Sequence, residues 1–286
     1  MRELTVPAYA KINLTLDVLG KRPDGYHDLS MIMQSVSLAD QVTIRQTGDN
    51  GFALKTDLGF LPGADKNIAA VAARAFARHT GADLNGLEIE LHKHIPVCAG
   101  TAGGSSDGAA VLRGLNRWFS GGLSLQHLAE IGEEVGSDVP YCVLGCTALA
   151  EGRGEKLTRL PALPDCHIVL CKPGFSVSTP ELFRRIDELK LCFHPDTTGV
   201  LAALEEGDLP GVSRRMFNVF EEALPAQRRA VVEEIKSTLL SRGALGACMS
   251  GTGPTVFGIF DDAEAARSAA DELKQSYAET FLTRNV

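Results

Sequence analysis

Apolar and polar residues alternate at the start of the chain. Ile12, Leu14, Leu16 and Val18 share one face and Lys11, Asn13, Thr15 and Asp17 the other, which predicts a strand over residues 10–18. Helical spacing takes over at 67–79 and stops near Gly81. Leu87, Ile89 and Leu91 alternate with Glu88, Glu90 and His92, a second strand over 87–92 that Pro96 closes off. Ala109, Leu112, Leu115 and Trp118 then recur at helical spacing, predicting a helix over 106–119 with Ser105, Ser106 or Asp107 as its cap. A further helix over 125–135 ends at Gly136.

Segment 146–160 reads as a hairpin turning at Gly152-Arg153-Gly154, and the proline-bearing LPALPD after it reads as a linker. A domain boundary is therefore expected near Pro161, dividing 1–160 from 161–286. The second half gives a strand at His167–Pro173, a helix opening at Thr179-Pro180, and two or three further helices. Strands at 244–250 and 254–260 and a final helix from Asp262 complete it, so the fold class is α+β.

Composition narrows the function. With 286 residues, 44% of them hydrophobic, the chain can bury a core of its own. No apolar run has the length of a membrane span, and MRELTVPAYAKINL lacks the basic-then-apolar order of a secretion signal, so a cytoplasmic location is expected, with no membrane partner. The seven cysteines form no CxxC pair and sit mostly in apolar stretches, as reduced core thiols do. A net charge of −8 opposes a phosphate backbone and argues against nucleic acid as a partner.

Chemistry concentrates in PVCAGTAGGSSD, Pro96–Asp107, which joins the second strand to a helix. Without Cβ atoms, Gly100, Gly103 and Gly104 let backbone N–H groups approach an anion, and the helix N-terminus adds free donors and a positive dipole end. The loop suits nucleotide phosphates, yet no lysine follows Gly104 as a Walker A loop requires, and GxGxxG is absent. A mere tight connection is the competing reading.

Other segments are individually ambiguous. The Lys11/Asn13 face is either a solvated strand face or part of a site. Gly20–Leu29 is a turn-rich loop carrying Tyr26 beside His27, a pair able to stack on and hydrogen-bond a heterocycle. Asp138 in VGSDVPY is either a cap for the next turn or a catalytic carboxylate. Met249–Thr255, MSGTGPT, is a second glycine turn, with a hairpin or bulge as its structural reading.

Taken in order, PAYAKINLTLDVLGKRPDGYHDL, PVCAGTAGGSSDGAAVLRGLN, GSDVPYC, the GRGE turn and SGTGPTVF resemble the GHMP small-molecule kinase superfamily over almost the full length. The first of these resembles the branch that phosphorylates the 2-hydroxyl of a cytidine diphosphate ester in the non-mevalonate isoprenoid pathway. The resemblance implies two domains: a ribosomal S5 domain 2-like N-terminal one and a ferredoxin-like C-terminal one. It implies ATP as co-substrate with Mg²⁺, a small-molecule cytidine diphosphate ester as partner, and a monomer or homodimer.

By the same resemblance Lys11 and Asp138 are the catalytic pair. Pro96, Val97, Cys98, Ala99, Gly100, Thr101, Ala102, Gly103, Gly104, Ser105 and Ser106 wrap the ATP phosphates, with Asn67 and Lys93 near adenosine. Tyr26 and Phe183 sandwich the cytosine, His27 bonds its edge, and Asn13 and Thr179 touch the substrate between base and reacting alcohol. Two positions depart from the family: Thr101 stands where leucine is usual and Ala102 where many members have glycine. A sibling kinase for mevalonate, homoserine or a sugar, a non-catalytic nucleotide-binding regulator and an RNA-binding module are the alternatives.

Overall fold

The computed structural model describes residues 2–63 and 65–286. In chain order these form β1 (Glu3–Lys21), β2 (His27–Gln46), β3 (Phe52–Thr56), α1 (Ile68–Thr80), β4 (Leu87–His92), α2 (Gly103–Trp118), α3 (Leu125–Glu133), α4 (Val139–Leu144), β5 (Thr147–Gly152) and β6 (Lys156–Arg159). They continue with β7 (His167–Lys172), α5 (Thr179–Glu188), α6 (Thr197–Glu206), α7 (Leu209–Arg214), β8 (Phe217–Asn218), α8 (Phe220–Ala223), α9 (Ala226–Ser241), β9 (Gly246–Met249), β10 (Val256–Phe260), α10 (Ala263–Lys274) and β11 (Glu279–Arg284). Packing divides the chain into two compact units. The first is Met1–Ala10, Leu38–Val97 and Ala102–Gly145; the second is Lys11–Ser37, Cys98–Thr101 and Cys146–Val286.

In the first unit β3 runs parallel to β4, and β4 antiparallel to the C-terminal half of β2, with Ile89 opposite both Leu54 and Ile44. Val42, Ile44, Phe76, Ile89, Leu112, Leu115 and Tyr141 are buried in its core. Helix α1 is bounded as its pattern predicts: Asn67 Oδ1 accepts from Ala69 N–H at 3.0 Å, and Gly81 takes the left-handed cap. Helices α1 and α2 approach closely because position 108 has no side chain; a Cβ there would lie 2.9 Å from Ile68 Cγ2.

Helix α2 corrects one expectation. It begins at Gly103, and its N-cap is Ala102 in the left-handed conformation, without a side-chain capping bond. The left-handed residue turns the chain directly into the helix, so Ser105, Ser106 and Asp107 lie inside the first turns. Ser106 Oγ instead donates to the Tyr9 carbonyl at 2.6 Å.

In the second unit β5 pairs antiparallel with the N-terminal half of β2 and with β6, and β1 runs parallel to β8 at Thr15↔Phe217. A separate antiparallel sheet has the order β11-β7-β10-β9. Every residue of β10 is buried, and Leu239 of α9 packs over Gly258. The strands at 167–173 and 254–260 are as the pattern predicts. Strand β11 follows α10, where the pattern gave only a helix.

The solvated-face reading of β1 is overturned. Lys11, Asn13, Thr15 and Asp17 are all buried, so both faces of this strand are covered. Their polar atoms are engaged: Thr15 Oγ1 accepts from Ile32 N–H at 3.1 Å, and Asp17 accepts from His194 Nδ1 at 2.9 Å. None of the seven cysteines forms a disulfide; Cys98 and Cys192 are exposed. Among the described residues no helix is long and apolar enough to cross a membrane.

Candidate functional site

Three segments distant in sequence meet in the second unit. Strand β1 supplies Lys11, whose backbone N–H donates to the Thr101 carbonyl at 3.2 Å and whose ammonium donates to Asn13 Oδ1 at 2.6 Å. Gly100 lies against the 250–255 turn. Its φ is +76°, and a Cβ there would stand 2.1 Å from the Ser250 carbonyl oxygen, so no other residue fits. Ser250 Oγ returns a bond to the Gly100 carbonyl at 2.9 Å, and Thr255 N–H donates to the Ala99 carbonyl at 3.3 Å.

The second glycine turn also borders the lysine, since a Cβ on Gly251 would sit 3.3 Å from Lys11 Nζ. The result is a buried ammonium set beside two glycine turns, an arrangement that favours bound negative charge. Asn218, on the two-residue strand β8, fixes the second turn by donating to the Met249 and Gly251 carbonyls at 2.7 and 2.8 Å. Sequence reading missed it, because so short a strand leaves no periodic signal. Thr101 is buried, and its hydroxyl meets no hydrogen-bond partner among the described residues.

A second cluster of the same unit is aromatic. His27 opens β2 and is buried against Phe183 of α5, with ring centroids 4.7 Å apart and planes 22° from parallel. Phe220 meets Phe183 edge-on at 5.0 Å. Tyr26 is exposed, and the Arg153 guanidinium of the β5–β6 turn lies 5.1 Å from its ring centre, a cation–π contact. So Phe183 stacks on His27 here, and Tyr26 pairs with a cation. Thr179, first residue of α5, shares a hydroxyl contact of 2.9 Å with Thr252.

Asp187 is the residue of this cluster that sequence reading missed. Its Oδ1 lies 2.6 Å from His27 Nε2, and its Oδ2 binds the Lys21 ammonium. The His27 hydrogen bond and Lys21 together hold its carboxyl below the usual range. A signal was present: Phe183 and Asp187 stand four residues apart on one helix, and such positions share a face.

The first unit holds the remaining candidates. Asn67 spends its side chain on capping α1 and on the Pro62 carbonyl. The Lys93 ammonium lies buried between the carboxylates of Asp40 and Asp107. Asp40 Oδ1 also accepts from the N–H groups of His94 (2.5 Å) and Ile95 (2.8 Å), just before the glycine loop. Burial works against the charge on Lys93, yet its two partners raise its pKa. Burial also pushes Asp107 up to about 7; Lys93 opposes that rise and the negative charge of Asp40 adds to it. A Cβ on Gly103 would come within 3.7 Å of Asp40 Oδ2, so this ionic set underlies the first residue of α2. Asp138 occupies the N-cap of α4 with helical backbone angles and no side-chain capping bond, which leaves the capping explanation without its hydrogen bond.

Comparison with known proteins is consistent over the whole chain. The family described as "GHMP kinases N terminal domain" matches residues 67–146, and "GHMP kinases C terminal" matches residues 200–279. A 4-diphosphocytidyl-2-C-methyl-D-erythritol kinase of Lachnoclostridium phytofermentans is 47% identical over 98% of this chain and 97% of its own. One of Clostridium botulinum is 41% identical over 99% of this chain and all of its own. Among solved structures, a 4-(cytidine 5'-diphospho)-2C-methyl-D-erythritol kinase superposes with a TM-score of 0.82 at 31% identity, covering 99% of both chains. A homoserine kinase of Cytophaga hutchinsonii, at 20% identity and a TM-score of 0.76 over all of this chain and 95% of its own, shares the fold.

Proposed function

The chain belongs to the GHMP kinases and, within them, to the 4-diphosphocytidyl-2-C-methyl-D-erythritol kinases, and from that premise we propose which residues carry the reaction. The protein is an ATP-dependent kinase with the two-domain fold of that family. It transfers the γ-phosphoryl of ATP to the 2-hydroxyl of 4-diphosphocytidyl-2-C-methyl-D-erythritol, a step of the non-mevalonate route to isoprenoid precursors. On this reading residues 1–160 carry the nucleotide loop and the catalytic pair, and 161–286 contribute Thr179 and Phe183 to the acceptor side.

In the proposed division of work Asp138 accepts the proton of the attacking hydroxyl. That oxygen then forms the new P–O bond as the bond to the β-phosphate breaks and ADP leaves. Lys11 orients the carboxylate and stabilises charge on the transferring group. Phosphoryl transfer has a loose transition state, so positioning and electrostatics supply most of the catalysis. The N–H groups of the 96–106 loop and the start of α2 face the phosphates. Mg²⁺ accompanying ATP would neutralise phosphate charge. Among the described residues no group of three or more His, Cys, Asp or Glu is placed to hold a metal ion by itself, and Mg²⁺ would be held chiefly by the phosphate oxygens of ATP.

Tyr26 and Phe183 supply aromatic faces for the cytosine. The imidazole of His27 is offset on Phe183, since a 4.7 Å centroid separation exceeds the roughly 3.5–4.0 Å of direct carbon contact. The rest of that face suits a base lying in the plane of the imidazole, edge to edge with it. Asn13 and Thr179 approach the substrate between base and reacting alcohol, and Asn67 and Lys93 belong to the adenosine side. The cytoplasm is the compartment this reading implies.

The observation that carries the reading is the buried Lys11 ammonium beside the Gly100 and Gly251 turns. A radiolabelled ATP transfer assay over a panel of alcohols tests it. Label should appear on the cytidine diphosphate ester, and not on mevalonate, homoserine or free 2-C-methylerythritol 4-phosphate. Preferential labelling of another alcohol would assign the chain to a sibling activity. ATP binding without transfer to any of them would make it a regulator.

A further inference from the structure

We propose that Asp187 is a positioning residue that fixes the His27 tautomer and thereby sets the preference for cytosine over uracil. The inference rests on the reading above that His27 meets the edge of the base. A carboxylate only accepts hydrogen bonds, so the 2.6 Å contact to Asp187 Oδ1 requires the proton on His27 Nε2. In the neutral ring Nδ1 then keeps a lone pair and can only accept. No hydrogen-bond partner among the described residues meets Nδ1, although the ring is more than nine-tenths buried. An unfilled acceptor on a fixed, buried ring is suited to a ligand's N–H.

The base chemistry follows. Cytosine carries an amino group at its 4-position, which donates; uracil carries a carbonyl oxygen there, which accepts. An Nδ1 acceptor bonds the first and repels the second. The opposite tautomer, or a doubly protonated ring, would present a donor and invert the choice. Lys21 contributes by binding Oδ2 of the same carboxylate. Held at Oδ2, the carboxylate presents Oδ1 to the ring in one direction. The Phe183 stack fixes the remaining freedom by defining the plane in which the imidazole lies. Direction, plane and tautomer are thus each held by a named group.

The test compares wild type with Asp187→Ala, Asp187→Asn and His27→Ala, using cytidine and uridine diphosphate esters of the same alcohol. ¹⁵N chemical shifts of the His27 ring are read on the full-length protein without ligand. Wild type should show a protonated Nε2 and an unprotonated Nδ1. Asp187→Ala should give mixed tautomers and lower the cytosine-to-uracil ratio of kcat/KM by about tenfold, the scale of one hydrogen bond to a site left mispaired, with KM for ATP unchanged. Asp187→Asn keeps an acceptor oxygen and should restore most of that ratio. A ratio that falls in His27→Ala but not in Asp187→Ala would overturn the role of Asp187 and leave the His27 reading intact. A ratio indifferent to all three substitutions, with the tautomer still shifted in Asp187→Ala, would instead remove His27 from the base site and the inference with it.

Discussion

Two aspartate-centred clusters make a useful contrast. In the first unit Lys93 lies between Asp40 and Asp107, all of them buried, and the remaining Asp40 bonds go to backbone N–H groups. In the second unit Asp187 stands partly in solvent and grips one nitrogen of His27, while the other nitrogen has no partner among the described residues. The first cluster is buried as a set and acts on the backbone beneath the glycine loop, with Asp107 Oδ1 left without a hydrogen-bond partner among the described residues. The second stops one hydrogen bond short of satisfaction, which is the condition of a group kept for a ligand. A buried ionic set is weak evidence of stability, because desolvation offsets the attraction, but breaking one partner out of it is strongly unfavourable. An exposed pair such as Lys21–Asp187 contributes little to stability and can still orient a ring.

The largest expected effect belongs to the closed cluster. Lys93→Met leaves two carboxylates buried without their cation and should cost roughly 3–5 kcal/mol in a urea titration. A loss below about 1 kcal/mol, the range of surface pairs, would show the set to be solvated and would erase the contrast. Its pH dependence is also defined. An unfolded aspartate titrates near pH 3.9, and Asp107 in the folded protein at about 7, so the native state binds that proton more tightly in between. The contribution of Asp107 to stability is therefore complete below about pH 4 and is lost as pH rises through 7. Urea midpoints measured from pH 5 to 8 should fall for wild type and fall less for Asp107→Asn. Parallel slopes would remove Asp107 as the titrating group.

Next come the proposed catalytic residues. Asp138→Asn should lower kcat by about 10²-fold or more, the usual scale for a positioned base, with ATP binding little changed. Near-normal turnover would return Asp138 to the helix end on which it sits. Lys11→Met should lose rate comparably, and a thermal melt distinguishes chemistry from packing, because the side chain is buried and its ammonium holds Asn13. In the open cluster, Tyr26→Ala and Phe183→Ala should each reduce kcat/KM for the cytidine ester by roughly ten- to a hundredfold, the worth of base stacking, while KM for ATP stays constant. Phe183→Ala should also loosen His27 and broaden its ring signals, whereas Tyr26→Ala should not. Identical effects on His27 would mean that the stack is not what fixes it.

Legibility differed between these regions for physical reasons. Strand β4 and helix α1 were readable almost to the residue, since each presents one clean period with a stop signal beside it. Strand β2 was not, because its start lies in a segment rich in turn-forming residues and Met31–Val36 is buried on both faces, so alternation disappears. The polar face of β1 had the right pattern and the wrong environment: nothing local says that Lys11 will be covered. Partnership is the least local property of all. Lys93 finds Asp107 fourteen residues away and Asp40 fifty-three away, and His27 finds Asp187 across 160 positions. The glycine turns and the Tyr26-His27 pair were visible as chemistry, but the asparagine and aspartates that hold them became visible only in three dimensions.

The smallest expected effects concern the two positions where the nucleotide loop departs from its relatives. Ala102 adopts φ +57°, a left-handed conformation that an L-residue enters at about 1–2 kcal/mol and glycine enters freely. Part of that difference is offset by the greater freedom of glycine in the unfolded chain, so Ala102→Gly should raise stability by no more than about 1 kcal/mol. Thr101 carries a buried hydroxyl with no protein partner among the described residues, and such a group costs about 1–3 kcal/mol unless a ligand bonds it. Thr101→Val keeps the shape and removes the hydroxyl. If the group is idle, the variant should melt a few degrees higher and phosphorylate at the wild-type rate, as should Thr101→Leu if the cavity accepts the larger side chain. If the hydroxyl completes the site, stability will still rise but KM for ATP or for the acceptor will rise as well, and whichever substrate is affected names the ligand it meets. In that case Thr101 would share, within the same unit, the property of the His27 cluster: a polar group left unpaired for a substrate.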